Sequence, residues 1–384
     1  MKKVVLLCFF LSLVLFVSCR NIPKLIHPPA LPKDKIRQHP TKSGYARWIF
    51  SSTERIVSTP ALGPDGTIYI SSLDRSLFAV SPQGKKKWSY ATDDLVLSSP
   101  ATAIDGTVYI ASKDSYLYAV GGDGKELWKF GTQGIIDSSP RVAADGTIYI
   151  ASHDANLYAV NPQGKQIWTY QAADKFKRST PALAADGTIY IGSQDGFLHA
   201  VSPKGTRKWL LKACDSITAS PTVDTDGTVY IGCWDGRLQA ILPNRSIKWT
   251  FRTKGPILAT PVLGRDGTVY IGSDDKFFYA INPQTGTERW KFQSGVYQKK
   301  MKKFIRKPVN GSQGYIQASA ALDGSGRLYF GSVNEYLYAL TSKGKLFWQF
   351  DAGGWVDNAP IVGRYNQRDV IYVAAGRRLY AMNP

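Results

Sequence analysis

Sulfur and imidazole are scarce in this chain: 384 residues hold four Cys, three Met and four His. His27, His39, His153 and His199 are scattered without ligand spacing, so a His-built metal centre is not expected. No two cysteines are adjacent, and neither a nucleophile–base constellation nor a phosphate-cradling glycine loop is present. Long apolar runs are lacking too. The one near-uninterrupted stretch, Val4 to Ser18, is too short to span a bilayer as a helix and lies at the extreme N-terminus, which excludes a polytopic membrane protein. Acid is in deficit: Lys plus Arg number 48 against 29 Asp plus Glu, a net charge of +19. Such an excess makes an anionic partner a question to carry forward.

What is present begins with a targeting signal. Lys2 and Lys3 precede the apolar run, and Phe16-Val17-Ser18-Cys19 closes it, as in a bacterial lipobox. Residues 1–18 are therefore read as a lipoprotein signal peptide and Cys19 as the lipid attachment site. Several acyl chains would anchor the protein stably. Residues 19–43, with five Pro and mostly basic charge, read as a flexible tether.

From residue 44 onward the chain repeats itself. Ser/Thr-Pro pairs recur at Pro60, Pro100, Pro140, Pro181, Pro221 and Pro261, Ala320 stands at the next position, and Pro360 closes the series. Trp48, Trp88, Trp128, Trp168, Trp209, Trp249, Trp290 and Trp348 keep the same beat. Each unit of about 40 residues carries four strand signals separated by an Asp-Gly turn, a second turn and a Pro-x-Gly turn. The Asp-Gly pairs predict two-residue hairpins with both central residues at positive φ. Units of this length predict an all-β, eight-bladed propeller of four-stranded antiparallel blades over residues 44–384. The last unit ends at Leu379-Tyr380-Ala381-Met382 without a Trp strand, while Arg47-Trp48-Ile49-Phe50 precedes the first unit as an orphan, so the N-terminal strand is expected to close the ring. The eight Trp are read as blade-packing residues that bind no ligand.

The repeat Asp-Gly-Thr-Val-Tyr-Ile, then Leu-Tyr-Ala-Val, then Gly-Lys and Trp, resembles the PQQ-type repeat. That family includes quinoprotein dehydrogenases and the propeller lipoprotein of the outer-membrane β-barrel assembly machine. The dehydrogenase branch would imply bound PQQ and calcium, an adjacent cysteine pair and long inserts between strands. This chain lacks the pair, and its blades are nearly bare. Asp74, Asp114, Asp154, Asp195, Asp235 and Asp275 recur once per blade, as turn-forming residues must, and are not read as metal ligands. No catalytic residue, cofactor or metal is expected, and no nucleic-acid partner.

The resemblance implies a non-catalytic, lipid-anchored scaffold of the bacterial envelope, at the outer membrane facing the periplasm, with the cell surface left open. It would be a monomer docking envelope or outer-membrane proteins through its loops. The alternative is a binding module for an anionic polymer, glycan or lipid headgroup, and a further alternative is a degenerate quinoprotein. Candidate contacts lie on the face formed by the connections between blades. One is a basic insertion at about 295–314 bearing Lys299, Lys300, Lys302, Lys303, Arg306 and Lys307. The others are Lys175, Phe176, Lys177, Arg178, Trp234 and Trp355. Cys214 and Cys233 fall at one end of blade five, where a disulfide and free thiols both remain open in an oxidising compartment.

Overall fold

The structure is a computed structural model that describes residues 42–295 and 314–384. Cys19, most of the tether and the six basic residues of the insertion lie outside the described residues. Strands β1–β32 form eight four-stranded antiparallel sheets, each built from neighbours in sequence except the last. Blades one to seven span 61–91, 101–131, 141–171, 182–212, 222–252, 262–293 and 321–351. The eighth joins 361–382 to β1, Ala46–Ser51. There β1 pairs with β32, Arg378–Met382, through Ile49 opposite Tyr380 and Phe50 opposite Leu379. The ring is therefore closed by the N-terminal strand, and blade eight is composite.

Burial follows from stacking sheets on both sides. In blade one, β3 (Ile68–Ser72) is buried at every position, because one face meets blade two and the other blade eight. The outer strand β5, Lys86–Ala91, alternates exposed and half-buried residues. Each interface has its own apolar cluster: Tyr69, Leu77 and Ala79 of blade one meet Val108, Ile110 and Tyr118 of blade two around Val96 from the connection between them.

The Trp residues sit on the outer strands and reach the next blade. The Trp48 indole N–H donates to Pro82 O at 2.8 Å, and its ring covers Gly84. A Cβ there would come within 2.6 Å of the indole, and the glycine also holds φ at +82°, so both contact and turn require it. The Trp88, Trp128, Trp168, Trp249 and Trp290 indoles likewise donate to a turn carbonyl of the following blade. The turn that follows Trp209 in the repeat is the one such turn that carries Arg245, at φ +76°, in the glycine position. Trp348 packs over Gly44, its N–H buried without a partner among the described residues.

The Asp-Gly turns differ from the two-residue form expected. Gly63 and Thr67 close a three-residue loop in which Gly66 alone, at +79°, is left-handed. The Asp65 carboxylate accepts the Thr67 N–H at 2.9 Å. That side-chain bond holds the aspartate in an ordinary turn conformation, so only the residue after it needs positive φ. A two-residue turn with both central residues left-handed does occur, at Asn366-Gln367 in blade eight.

Candidate functional site

In an antiparallel blade the turns between strands two and three and the connections to the next blade share one face of the ring. On that face the eight connections surround a cavity of 810 Å³ on the propeller axis. The first-strand hydroxyls form its inner ring and also join blades. The Thr59 N–H donates to Ser99 Oγ at 3.0 Å, Ser99 N–H to Ser139 Oγ at 2.8 Å, and Thr180 N–H to Ser220 Oγ at 2.9 Å. Proline follows each of these residues, so that N–H is the last donor before the chain turns into the blade.

Above this ring the repeat loses its regularity. One position per connection faces the mouth, and in chain order it holds Val57, Leu97, Asp137, Lys177, Thr218, Leu258, Gln317 and Asp357. The connection before blade four is one residue longer than its neighbours, and the extra residue, Arg178, takes a left-handed φ of +58°. Its N–H donates to Asp137 Oδ1 at 3.0 Å. His153 Nε2 lies 3.0 Å from the other oxygen of that carboxylate. Burial alone would raise the Asp137 pKa, but His153 and the Arg178 N–H outweigh it and hold the group below the ordinary value. Across the mouth Arg55 pairs with Asp357, and its guanidinium lies 5.3 Å above the Trp355 ring. Asp274 Oδ2 accepts from Gln317 at 3.1 Å; burial, only partly offset by that bond, keeps its pKa above the usual range. Trp234 is 50% exposed, its indole N–H fixed on Thr218 Oγ1 at 2.9 Å.

Lys177, Arg178 and Trp234 thus meet at the mouth, and Trp355 adjoins it through Arg55. Lys175 stands beside it, its carbonyl accepting the Gln194 N–H at 3.1 Å. Phe176 corrects the sequence reading, because it is fully buried and makes no surface contact. Its ring packs edge-on against His199 at 5.5 Å, among Leu157, Tyr170 and Ile191. Arg55, Asp137, Gln194 and Asp357 were missed. Aligning the connections on their prolines would have placed Asp137 and Asp357 at the same position as Arg178, next to Lys177.

Cys214 and Cys233 are joined as a disulfide, S–S 2.07 Å, tying the connection that leaves blade four to a turn of blade five. With Asp235 they form the one group of three potential metal ligands among the described residues, but both sulfurs are committed to each other. The recurring aspartates serve the turns. Asp154 Oδ1 accepts the Asn156 N–H at 2.9 Å and Oδ2 the Gln133 N–H of the preceding connection at 2.9 Å. A quinone cofactor with calcium would need free carboxylates at the mouth. Asp137 and Asp357 are already engaged, so the residues present do not fit that group.

The model of a family described as outer membrane protein assembly factor BamB matches residues 33–196 and again 113–246. The β-propeller domain of glucose/ethanol/alcohol dehydrogenases matches residues 244–377. No curated protein matches in sequence. Among solved structures, the crystal structure of BamB from Moraxella catarrhalis is 15% identical with a TM-score of 0.70, the match covering 88% of this chain and 99% of that one. The computationally designed Ika8 protein is 13% identical with a TM-score of 0.71, the match covering 87% and 98%. At such identities the structural likeness shows the fold alone. The first family model, however, spans more than half of the sequence, and the chain belongs to the PQQ-repeat propeller family described as outer membrane protein assembly factor BamB.

Proposed function

We propose that the protein is a non-catalytic scaffold of the bacterial envelope, lipid-anchored through Cys19, that docks an envelope protein on the connection face of its propeller and acts in outer-membrane protein assembly. Family membership supports the setting. The observation that carries the docking face is Trp234: a half-exposed indole, held rigid by Thr218, on a face whose connections depart from the repeat. Large aromatic residues with fixed orientation are what interface centres favour. The opposite face consists of repeated Asp-Gly and Pro-x-Gly turns and exposes Ile104, which is 97% accessible.

A photoreactive amino acid at position 234, expressed in the native envelope, is expected to crosslink to one envelope protein. The same group at position 104 serves as the comparison. Equal adducts from both positions, or none from position 234, would remove the docking assignment.

A further inference from the structure

The hydroxyl ring at the base of the cavity has spare hydrogen-bonding capacity. Thr59, Ser99, Ser139, Thr180, Ser220 and Thr260 all line it. A hydroxyl offers one proton and two lone pairs. The neighbouring N–H groups use a lone pair on Ser99, Ser139 and Ser220, yet none of the six O–H groups donates to any acceptor among the described residues. Six donors therefore surround the axis, free to meet an oxygen-rich guest.

Charge at the mouth is unbalanced in the same sense. Asp137 is occupied by His153 and the Arg178 N–H, and Asp357 by Arg55. Lys177 and Arg178 form no side-chain ion pair among the described residues, although the Arg178 charge helps hold Asp137 ionised; with Arg55 they outnumber the two lining carboxylates, Asp137 and Asp357, and a concave wall focuses that excess. Gln194 Oε1 and Arg55 Nε, an acceptor and a donor, are buried at the lining without partners among the described residues. Buried polar atoms left unpaired carry a free-energy cost that a ligand can relieve. The indole of Trp234 borders the same arc, its edge anchored and half its surface open. The left-handed Arg178 places backbone strain beside the basic pair, as functional sites often do.

We infer that the channel mouth binds a small anionic sugar, a sugar acid or sugar phosphate, with its charge on Lys177 and Arg178, its ring against Trp234 and its hydroxyls on the Ser/Thr ring. A volume of 810 Å³ admits a ligand of this size together with bridging water. Sugar oxygens match the six unused donors, and a saccharide's apolar ring face matches the open indole. An acidic peptide also carries acceptors for these hydroxyls but lacks the saccharide's apolar ring face, so it is tested beside the sugars as N-acetylaspartate. This site shares Trp234 with the proposed docking face, but the two are told apart, since crosslinking of a protein partner and uptake of a sugar report different contacts.

The test is calorimetric titration of the purified full chain with glucuronate and with glucose 6-phosphate. Glucose, inorganic phosphate and N-acetylaspartate are run alongside at physiological salt. Saturable binding of both acidic sugars at about 1 mM or tighter is expected. Lys177→Gln with Arg178→Gln should weaken it about tenfold or more, as loss of charged hydrogen bonds does. If that pair melts differently from the parent, Lys177→Gln alone gives the same readout. Trp234→Ala should abolish the preference for glucose 6-phosphate over phosphate. Absence of saturable binding, indifference to the basic substitutions, or equally tight binding of phosphate or N-acetylaspartate would each overturn the assignment.

Discussion

His199 occupies a third-strand position where six blades place an aromatic ring and blade five places Gln239. It is 2% exposed, with Nδ1 2.9 Å from the Tyr170 hydroxyl and Nε2 2.9 Å from Ser193 Oγ. Burial lowers its pKa from 6.5 to about 4, against a smaller opposing pull from Asp195. An unfolded chain takes up this proton near pH 6.5, whereas the folded one resists until about pH 4. Between those values the unfolded state binds more protons, so stability is complete above pH 6.5 and lost as pH falls. The loss approaches about 3 kcal/mol. Denaturant midpoints measured from pH 7 to pH 4 should fall more steeply for the parent than for His199→Gln. Parallel curves would show that the imidazole is not held neutral. The misreading of Phe176 belongs to the same scale. It was grouped with its basic neighbours, although the repeat register sets it beside Val96, Ile136, Ile217 and Ile257, each a fully buried plug between blades. Local charge outweighed register, and the structure reverses that order.

Connections between blades show what the repeat encodes and where it stops. Asp114, Asp154 and Asp275 each bind a backbone N–H of the preceding connection, at 3.2, 2.9 and 2.9 Å. In blade five Asp235 instead takes the Arg237 guanidinium, and the Cys214–Cys233 bond makes the link covalently. Its closed loop, with a sequence separation of 19, corresponds to about 3 kcal/mol of stabilisation by the chain-entropy account. Cys214→Ala with Cys233→Ala should lower unfolding free energy by about that amount. Melting unchanged from the parent would assign the bond no stabilising part. Strand signals and turn residues were legible because every blade repeats them. The pairing of two cysteines was not, since one lies in the connection into blade five and the other in a turn of that blade, and no second copy sets their distance. The cavity was hidden for a related reason: its lining is assembled from eight segments about 40 residues apart, with one interval of 59, and only closure brings them together.

Closure itself rests on six residues. Strand β32 is buried at every position, unlike the outer strands of blades one to seven, because β1 covers it. Phe50 of β1 also packs against Phe78 of blade one at 5.7 Å, and Trp48 donates to Pro82, so the strand joins blade eight to blade one as well as completing its sheet. Removal of residues 42–51 would uncover Leu379, Tyr380, Ala381 and Met382, all at 0% exposure, along a strand edge with unpaired backbone groups. Edges of that kind pair with other chains. The truncated protein is expected to associate or aggregate in size-exclusion chromatography with light scattering, and to melt at lower temperature than the parent. Phe50→Ala, which leaves the ladder intact, separates the two contributions: it should reduce stability by about 3 to 5 kcal/mol, or less where the half-buried ring relaxes, without causing association. A truncated chain that stays monomeric with unchanged melting would mean that seven blades and a three-stranded remnant hold the ring unaided, and that β1 decorates the fold without closing it.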